Sequence, residues 1–386
     1  MRTSQVYSTK SILLISVVFL LSGWLASCST PSVIEPTEPE QAEPVLEVVP
    51  AEPVAAQPVV QEISVMAVGD IMLGTDFPHN HLPPAGQNLL ADVSEILSAA
   101  DITFGNYEGT LLSGGEPAKQ CRNPQRCYVF RTPPQAVSHL VSAGFDVMSL
   151  ANNHARDFGD EGRSSTMQTL AQAGIHHSGQ EGDIASWEVH GLKVALIAFA
   201  PFRGAYNPLK ITPAQQWVQE LAVTNDIVLV SMHMGAEGEH ATRIPFAEEI
   251  FHGERRGDVV AFSRAMVDAG ADLIIGHGPH VPRAIELYQG RLIAYSLGNF
   301  CTYYGINVRG LNGLAPILRA RLNRQGEFLG GEIISTRQRR PAGPVPDPRQ
   351  EAARLIATLT AKDFPDTPLE ISPNGLISVL QTGKKR

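Results

Sequence analysis

Two histidines three positions apart, His277 and His280, follow a run of branched apolar residues and enclose Gly278 and Pro279. The apolar run reads as a buried strand, and the glycine–proline pair reads as a tight turn. A turn at a strand end aims both imidazoles at one point, which suits a divalent metal ion. Two unrelated surface histidines would show the same spacing, so the pair needs company. Four further strand-like runs supply it. Residues 63–68 lead to Asp70, residues 101–104 to Glu108, residues 145–150 to Asn153 and His154, and residues 226–232 to His233. Carboxylate, amide and imidazole are the ligand set of a borderline divalent ion such as Zn, Mn or Fe. One polar strand end means little, because loops are polar. Five in succession point to a single metal centre holding one or two ions.

Such a centre needs several strands with their carboxyl ends side by side. Helical periodicity or capping residues mark helices near 87–100, 134–143, 162–173, 213–224, 258–268 and 350–361. Further strands are expected near 192–200, 291–297, 314–322 and 328–336. Alternation of strand and helix, followed by strands in succession, predicts an α/β or mixed α+β domain. Residues 238–257 read as an irregular polar loop carrying His240, Arg243, Arg255 and Arg256. Residues 337–349 read as a loop rich in proline and arginine.

Composition narrows the partners. The chain has 386 residues, a net charge of −9 and 43% hydrophobic residues. No basic stripe is present, which argues against nucleic acid. Arg2 and Lys10 precede an apolar run at 12–21 that is too short for an ordinary membrane span. Leu25-Ala-Ser-Cys28 follows and resembles a bacterial lipobox, which implies cleavage before Cys28 and lipidation of that cysteine. An ordinary secretory peptide is the alternative. Residues 29–61 are rich in Pro and Glu and read as a disordered tether. The expected organisation is a lipoprotein signal peptide at 1–28, the tether at 29–61, a folded domain at 62–340 and an extension with one helix at 341–386. The expected location is the bacterial cell envelope, with the protein lipid-anchored and facing the periplasm or exterior. In that oxidising setting Cys121 and Cys127 are expected to form a disulfide, leaving Cys301 as a buried thiol.

The order of motifs resembles the calcineurin-like metallophosphoesterase superfamily. Gly69-Asp-Ile-Met-Leu-Gly, Asn106-Tyr-Glu-Gly, Ser149-Leu-Ala-Asn-Asn-His, His233-Met-Gly-Ala-Glu and Ala294-Tyr-Ser-Leu-Gly-Asn-Phe are similar, more narrowly, to the CapA family. That family is associated with assembly or export of capsular poly-γ-glutamate. The resemblance implies a four-layer α-β-β-α sandwich. It implies that Asp70 and His280 hold one metal, that Asn153, His233 and His277 hold a second, and that Glu108 bridges them. His154 would be the general acid or substrate-polarising imidazole. Asp157 would orient it, or else cap the following helix. Glu237, Arg243 and Asn299 are candidates for substrate contact. The superfamily has histidine where this chain has Met72, and aspartate where it has Glu108. The expected function is a metal-dependent, phosphoesterase-like hydrolase acting on an anionic polymer or phosphoester, in company with envelope export machinery. The alternative is a non-catalytic component that binds the polymer for export.

Overall fold

The first strand, Glu62–Met72, is buried on both faces. Ile63, Val65 and Ala67 enter one apolar layer while Met66, Val68 and Ile71 enter another. A strand of this kind sits in the middle of a layered fold. The computed structural model describes residues 62–119 and 127–380. The leader and tether expected at 1–61, with Cys28, and the loop cysteine Cys121 lie outside the described residues. Cys127 is disulfide-bonded, and Cys301 is a buried free thiol.

The first strand lies inside a nine-stranded sheet. It pairs in parallel with Ile102–Tyr107, which pairs in parallel with Val147–Ser149. On its other side it pairs antiparallel with Ile317–Asn323 and, at its carboxyl end, in parallel with the short strand Asn299–Thr302. A six-stranded sheet holds Leu192–Phe199, Ile227–His233 and Leu273–His277, all parallel. The apolar layer between the sheets joins Val65 and Phe104 of the first to Leu196, Leu229 and Ile275 of the second. The outer face of the nine-stranded sheet packs on Leu97, Leu140 and Leu170 from helical segments. The outer face of the six-stranded sheet packs on Val218 and Phe262 from helices Ile211–Thr224 and Val259–Asp268. The result is the expected α-β-β-α sandwich.

Register puts the polar strand ends at one edge. Asp70 pairs with Asn106, and Asn106 with Ser149, in one sheet; His233 pairs with His277 in the other. A close approach fixes the neighbour of Asp70. A Cβ on Gly69 would stand 1.9 Å from the Gly298 carbonyl oxygen, which accepts the Asp70 N–H at 2.9 Å. Only glycine admits that crossing.

Three local expectations are corrected. The helix expected at 87–100 contracts to a single turn, Ser94–Leu97, after a short 3-10 segment. The Asn88 side chain accepts the Leu90 N–H at 3.0 Å and offers the backbone a turn instead. The irregular stretch 238–257 contains a hairpin, Glu249–Phe251 with Glu254–Gly257. Its two-residue turn, His252 and Gly253, takes positive φ at both positions, the form that matches strand twist. Residues 337–349 also form a hairpin, Thr336–Arg339 with Gly343–Pro346. Beyond it come helix Glu351–Asp363 and two strands that extend the nine-stranded sheet.

Asp272 opens the histidine-bearing strand. Its Oδ2 accepts the Val228 N–H at 2.8 Å, and Arg291 Nε lies 3.3 Å from Oδ1. Burial pushes its carboxyl up to about 6, against the pull of Val228 and Arg291. The folded state therefore binds this proton more tightly than the unfolded chain. Stability contributed by the group falls as pH rises from about 4 to about 6, by roughly 3 kcal/mol. Urea unfolding between pH 4 and 7 is expected to show that decline, and Asp272→Asn to flatten it.

Candidate metal centre

Asp70 is fully buried and surrounded by donors. Asn106 Nδ2 donates to its Oδ1 at 2.8 Å, and His277 Nδ1 stands 3.4 Å from the same oxygen. His280 Nδ1 lies 2.9 Å from Oδ2. Burial raises the Asp70 carboxyl, but the two histidines overcome it and hold the group well below the usual carboxylate range. His280 adopts φ +56, a left-handed conformation uncommon outside glycine. It is held there because Nδ1 faces both Asp70 Oδ2 and Asn299 Oδ1, the latter at 3.0 Å. Two acceptors at one nitrogen place the proton on Nδ1. Nε2 faces Glu108 Oε1 at 3.7 Å; burial lowers the His280 pKa, but Glu108 and Asp70 overcome it and hold the imidazole well above its usual value.

The other expected ligands are buried without partners. Both carboxylate oxygens of Glu108, both ring nitrogens of His233 and of His277, and Oδ1 of Asn153 make no hydrogen bond. Buried polar atoms are almost always satisfied, so seven orphaned atoms at one edge need a common partner. Burial pushes the Glu108 carboxyl up to about 8, with His280 opposing and Asp70 and Glu237 assisting. Burial holds His233 well below the usual imidazole value. A buried set of carboxylates and imidazoles with unpartnered ligand atoms is what a divalent ion satisfies. Ligand atoms of Asp70, Glu108 and His280 already lie within 4.8 Å of one another. The residues therefore fit a metal. Asp70, His280 and Glu108 are the residues that the resemblance assigns to one ion and its bridge; Asp70 Oδ1 also stands 3.4 Å from His277 Nδ1.

His154 sits beside this cluster. Its Nδ1 lies 2.7 Å from Asp157 Oδ2, and its N–H donates to Asn152 Oδ1 at 3.0 Å. Asp157 also accepts the Phe130 N–H at 2.8 Å, and the Phe130 ring lies against the imidazole, with centroids 4.3 Å apart. Asp157 therefore orients His154 and does not cap the following helix, which has Phe158 at that position. Burial lowers the His154 pKa while Asp157 raises it. Lys119, which the sequence did not single out, joins the pair with Nζ 3.2 Å from Asp157 Oδ1 and 3.4 Å from His154 Nδ1. Asn106 was also missed. It receives Asn152 Nδ2 at 3.2 Å and passes its own amide to Asp70. Its signal is its place in the Asn106-Tyr-Glu motif, two residues before the carboxylate.

The substrate candidates fare differently. Arg243 pairs with Asp363 on the C-terminal helix and Asp363 also accepts the Ile244 N–H at 3.2 Å, so Arg243 ties a loop to that helix. Asn299 is a brace: its amide donates to the carbonyls of His280, Asn307 and Asn312. Glu237 does reach the rim, 4.0 Å from His280 Nε2. It is held by Arg256 at 2.9 Å. Arg256 is not a solvated loop residue, being 3% exposed. Its guanidinium lies between the Phe202 and Phe251 rings at 5.1 and 5.4 Å. Met72 is fully buried, and its sulfur accepts the Gly74 N–H at 3.2 Å. It serves the first strand's loop and offers the cluster no hard ligand.

The model of the bacterial capsule synthesis protein PGA_cap family matches residues 64–304, more than half of the chain. The chain belongs to that family. This PGA_cap chain is 30% identical over 255 residues to a PGA biosynthesis protein CapA of Bacillus subtilis, covering 62% of this chain and 63% of that one. It is 28% identical over 260 residues to a capsule biosynthesis protein CapA of Bacillus anthracis, covering 62% and 60%. The chain thus spans less than two thirds of the length of these relatives. Among solved structures, a 5'-nucleotidase precursor from Thermus thermophilus matches with TM-score 0.40 and 15% identity, covering 74% of this chain and 56% of that one. A purple acid phosphatase from yellow lupin matches with TM-score 0.39 and 12% identity, covering 72% and 51%. No helix among the described residues of the PGA_cap chain is long and apolar enough to cross a membrane.

Proposed function

We propose that this chain is an exported, lipid-anchored PGA_cap protein whose metal-dependent hydrolase-type site acts in biosynthesis or export of envelope poly-γ-glutamate. The observation that carries the reading is the convergence of orphaned donors. Glu108, Asn153, His233 and His277 bury unpartnered ligand atoms beside Asp70, His280 and an oriented imidazole. The names of the curated relatives direct it to the capsule polymer. Asp70, Glu108, Asn153, His233, His277 and His280 would hold one or two divalent ions. When bound, such ions supply Lewis-acid polarisation and activation of water.

The chain's own residues do the rest. Asp157 takes the Nδ1 proton of His154 in a hydrogen bond, which leaves Nε2 to exchange a proton with the leaving group or polarise the substrate. Lys119 balances the buried Asp157 charge. Phe130 fixes the ring plane.

A second reading, a polymer-binding component without turnover, is favoured by one observation: Met72 removes a hard ligand from the cluster. Metal analysis of the purified chain, with hydrolysis of γ-linked glutamate oligomers and phosphoester model substrates in Mn, Zn and Fe, separates the two. At least one equivalent of metal with turnover is expected. His277→Ala is expected to lower both. Metal without turnover on any of these substrates would favour the second reading, and a metal-free wild type would sink both.

A further inference from the structure

A cavity of about 190 Å³ opens beside the metal centre, and its wall includes Asn153 and Asp157. Besides Asn152, its remaining polar wall is cationic: Lys119, Arg156, Arg163 and Arg203. Two of the arginines, Arg156 and Arg163, share one carboxylate. Asp160 accepts from Arg156 Nη2 at 3.1 Å and from Arg163 Nη2 at 2.7 Å, and all three guanidinium groups lower its pKa. Arg203 is exposed and makes no ion pair within 4 Å among the described residues. Lys119 is matched by Asp157. Asp160, and Asp183 at longer range, offset part of this charge, and Arg203 has no carboxylate in contact among the described residues, in a chain whose net charge is −9.

The arrangement is built rather than incidental. Arg163 Nε is buried without a partner, and the Arg163 side chain is only 12% exposed. Burial and the neighbouring Arg156 both depress the Arg163 pKa, the mark of like charges held together. Gly204 allows this packing. It has φ +83, and a Cβ there would stand 2.7 Å from Arg163 Nη1. The Gly204 carbonyl instead accepts from that nitrogen at 3.4 Å. A planar guanidinium fork matches an oxyanion, and spaced forks match a chain that repeats one.

We infer that the Lys119–Arg156–Arg163–Arg203 cavity is a substrate subsite that grips successive carboxylates of an acidic polymer and delivers the adjoining bond to the metal centre. The inference rests on the hydrolase reading for what happens next, but not for the grip itself. It also moves anion recognition away from the 238–257 stretch, where Arg243 and Arg256 are spent on internal pairs.

The test is binding of a γ-linked glutamate octamer to the full-length chain in detergent, with metal content measured in parallel. Arg156→Gln combined with Arg203→Gln is expected to weaken octamer binding at least tenfold with metal content unchanged, and to flatten its salt dependence. Arg163→Lys, which keeps charge but loses the fork, is expected to weaken it severalfold. An octamer with amidated carboxyls is expected not to bind. Affinity within twofold of wild type in the double variant would overturn the proposal. So would inorganic phosphate that binds better than the octamer, since the cavity would then be a phosphate subsite. Turnover lost in His154→Ala with binding intact supports the grip. Absence of turnover in the wild type with arginine-dependent binding removes the hydrolase reading and leaves the subsite standing.

Discussion

His154→Ala is expected to keep its metal and lose its turnover, with kcat/KM falling about 10²–10⁴-fold, the range for a positioned acid–base imidazole. Every contact of this side chain described above concerns orientation. Asp157 holds Nδ1 at 2.7 Å, Asn152 holds the backbone N–H, and Phe130 lies on the ring. None of these partners is among the orphaned ligand atoms, so removing the ring leaves the cluster's donors in place. Asp157→Asn is expected to cost a similar factor, because an amide can present its N–H to Nδ1 and reverse the tautomer. Metal analysis beside steady-state kinetics decides the matter. Metal lost together with turnover would make His154 a ligand, and unchanged turnover would remove it from the chemistry.

Asp70→Ala is expected to release tightly bound metal, lowering affinity by more than about 100-fold, beyond the effect expected of an outer residue. Its carboxylate is the one group that touches both histidines of the turn, at 3.4 Å for His277 and 2.9 Å for His280. Its loss frees both rings at once. Asn106→Ala offers the graded comparison, since Asn106 only orients Asp70, donating at 2.8 Å. A loss of about 10–100-fold is expected there. Competition with a chelator of known affinity measures both. Equal losses in the two variants would mean that Asp70 acts as a brace, and no loss in Asp70→Ala would place the metal elsewhere.

Much of this centre is legible in one dimension because strand ends are. Apolar runs of a few residues mark buried strands, and the first polar residues after them must sit at the edge of the sheet. Asp70, Glu108, Asn153, His154, His233, His277 and His280 are such residues, and strand register sets Asp70 beside Asn106 in one sheet and His233 beside His277 in the other. Legibility fails where a side chain's partner comes from a distant segment. Arg243 looked like a free cation in a polar loop, and its partner Asp363 lies 120 positions away. Asn299 looked like a substrate contact, and three carbonyls from separate loop positions claim its amide. The hairpins at 249–257 and 336–346 were read as loops because their strands are short and carry charge or proline.

Residue type and order alone therefore determined which side chains stand at the strand ends: carboxylates, amides and imidazoles, with one imidazole set apart by Asp157. Tertiary structure decided how they divide. Hydrogen bonds from His280 Nδ1 to Asp70 Oδ2 and Asn299 Oδ1 fix its ring and turn Nε2 toward Glu108. Packing also decided which cations are available, burying Arg256 against two rings while Arg203 lines the cavity without an ion pair among the described residues. Ligand identity is carried by single residues and survives in the sequence. Tautomer, charge balance and accessibility belong to neighbours, and neighbours exist only once the two sheets have closed on each other.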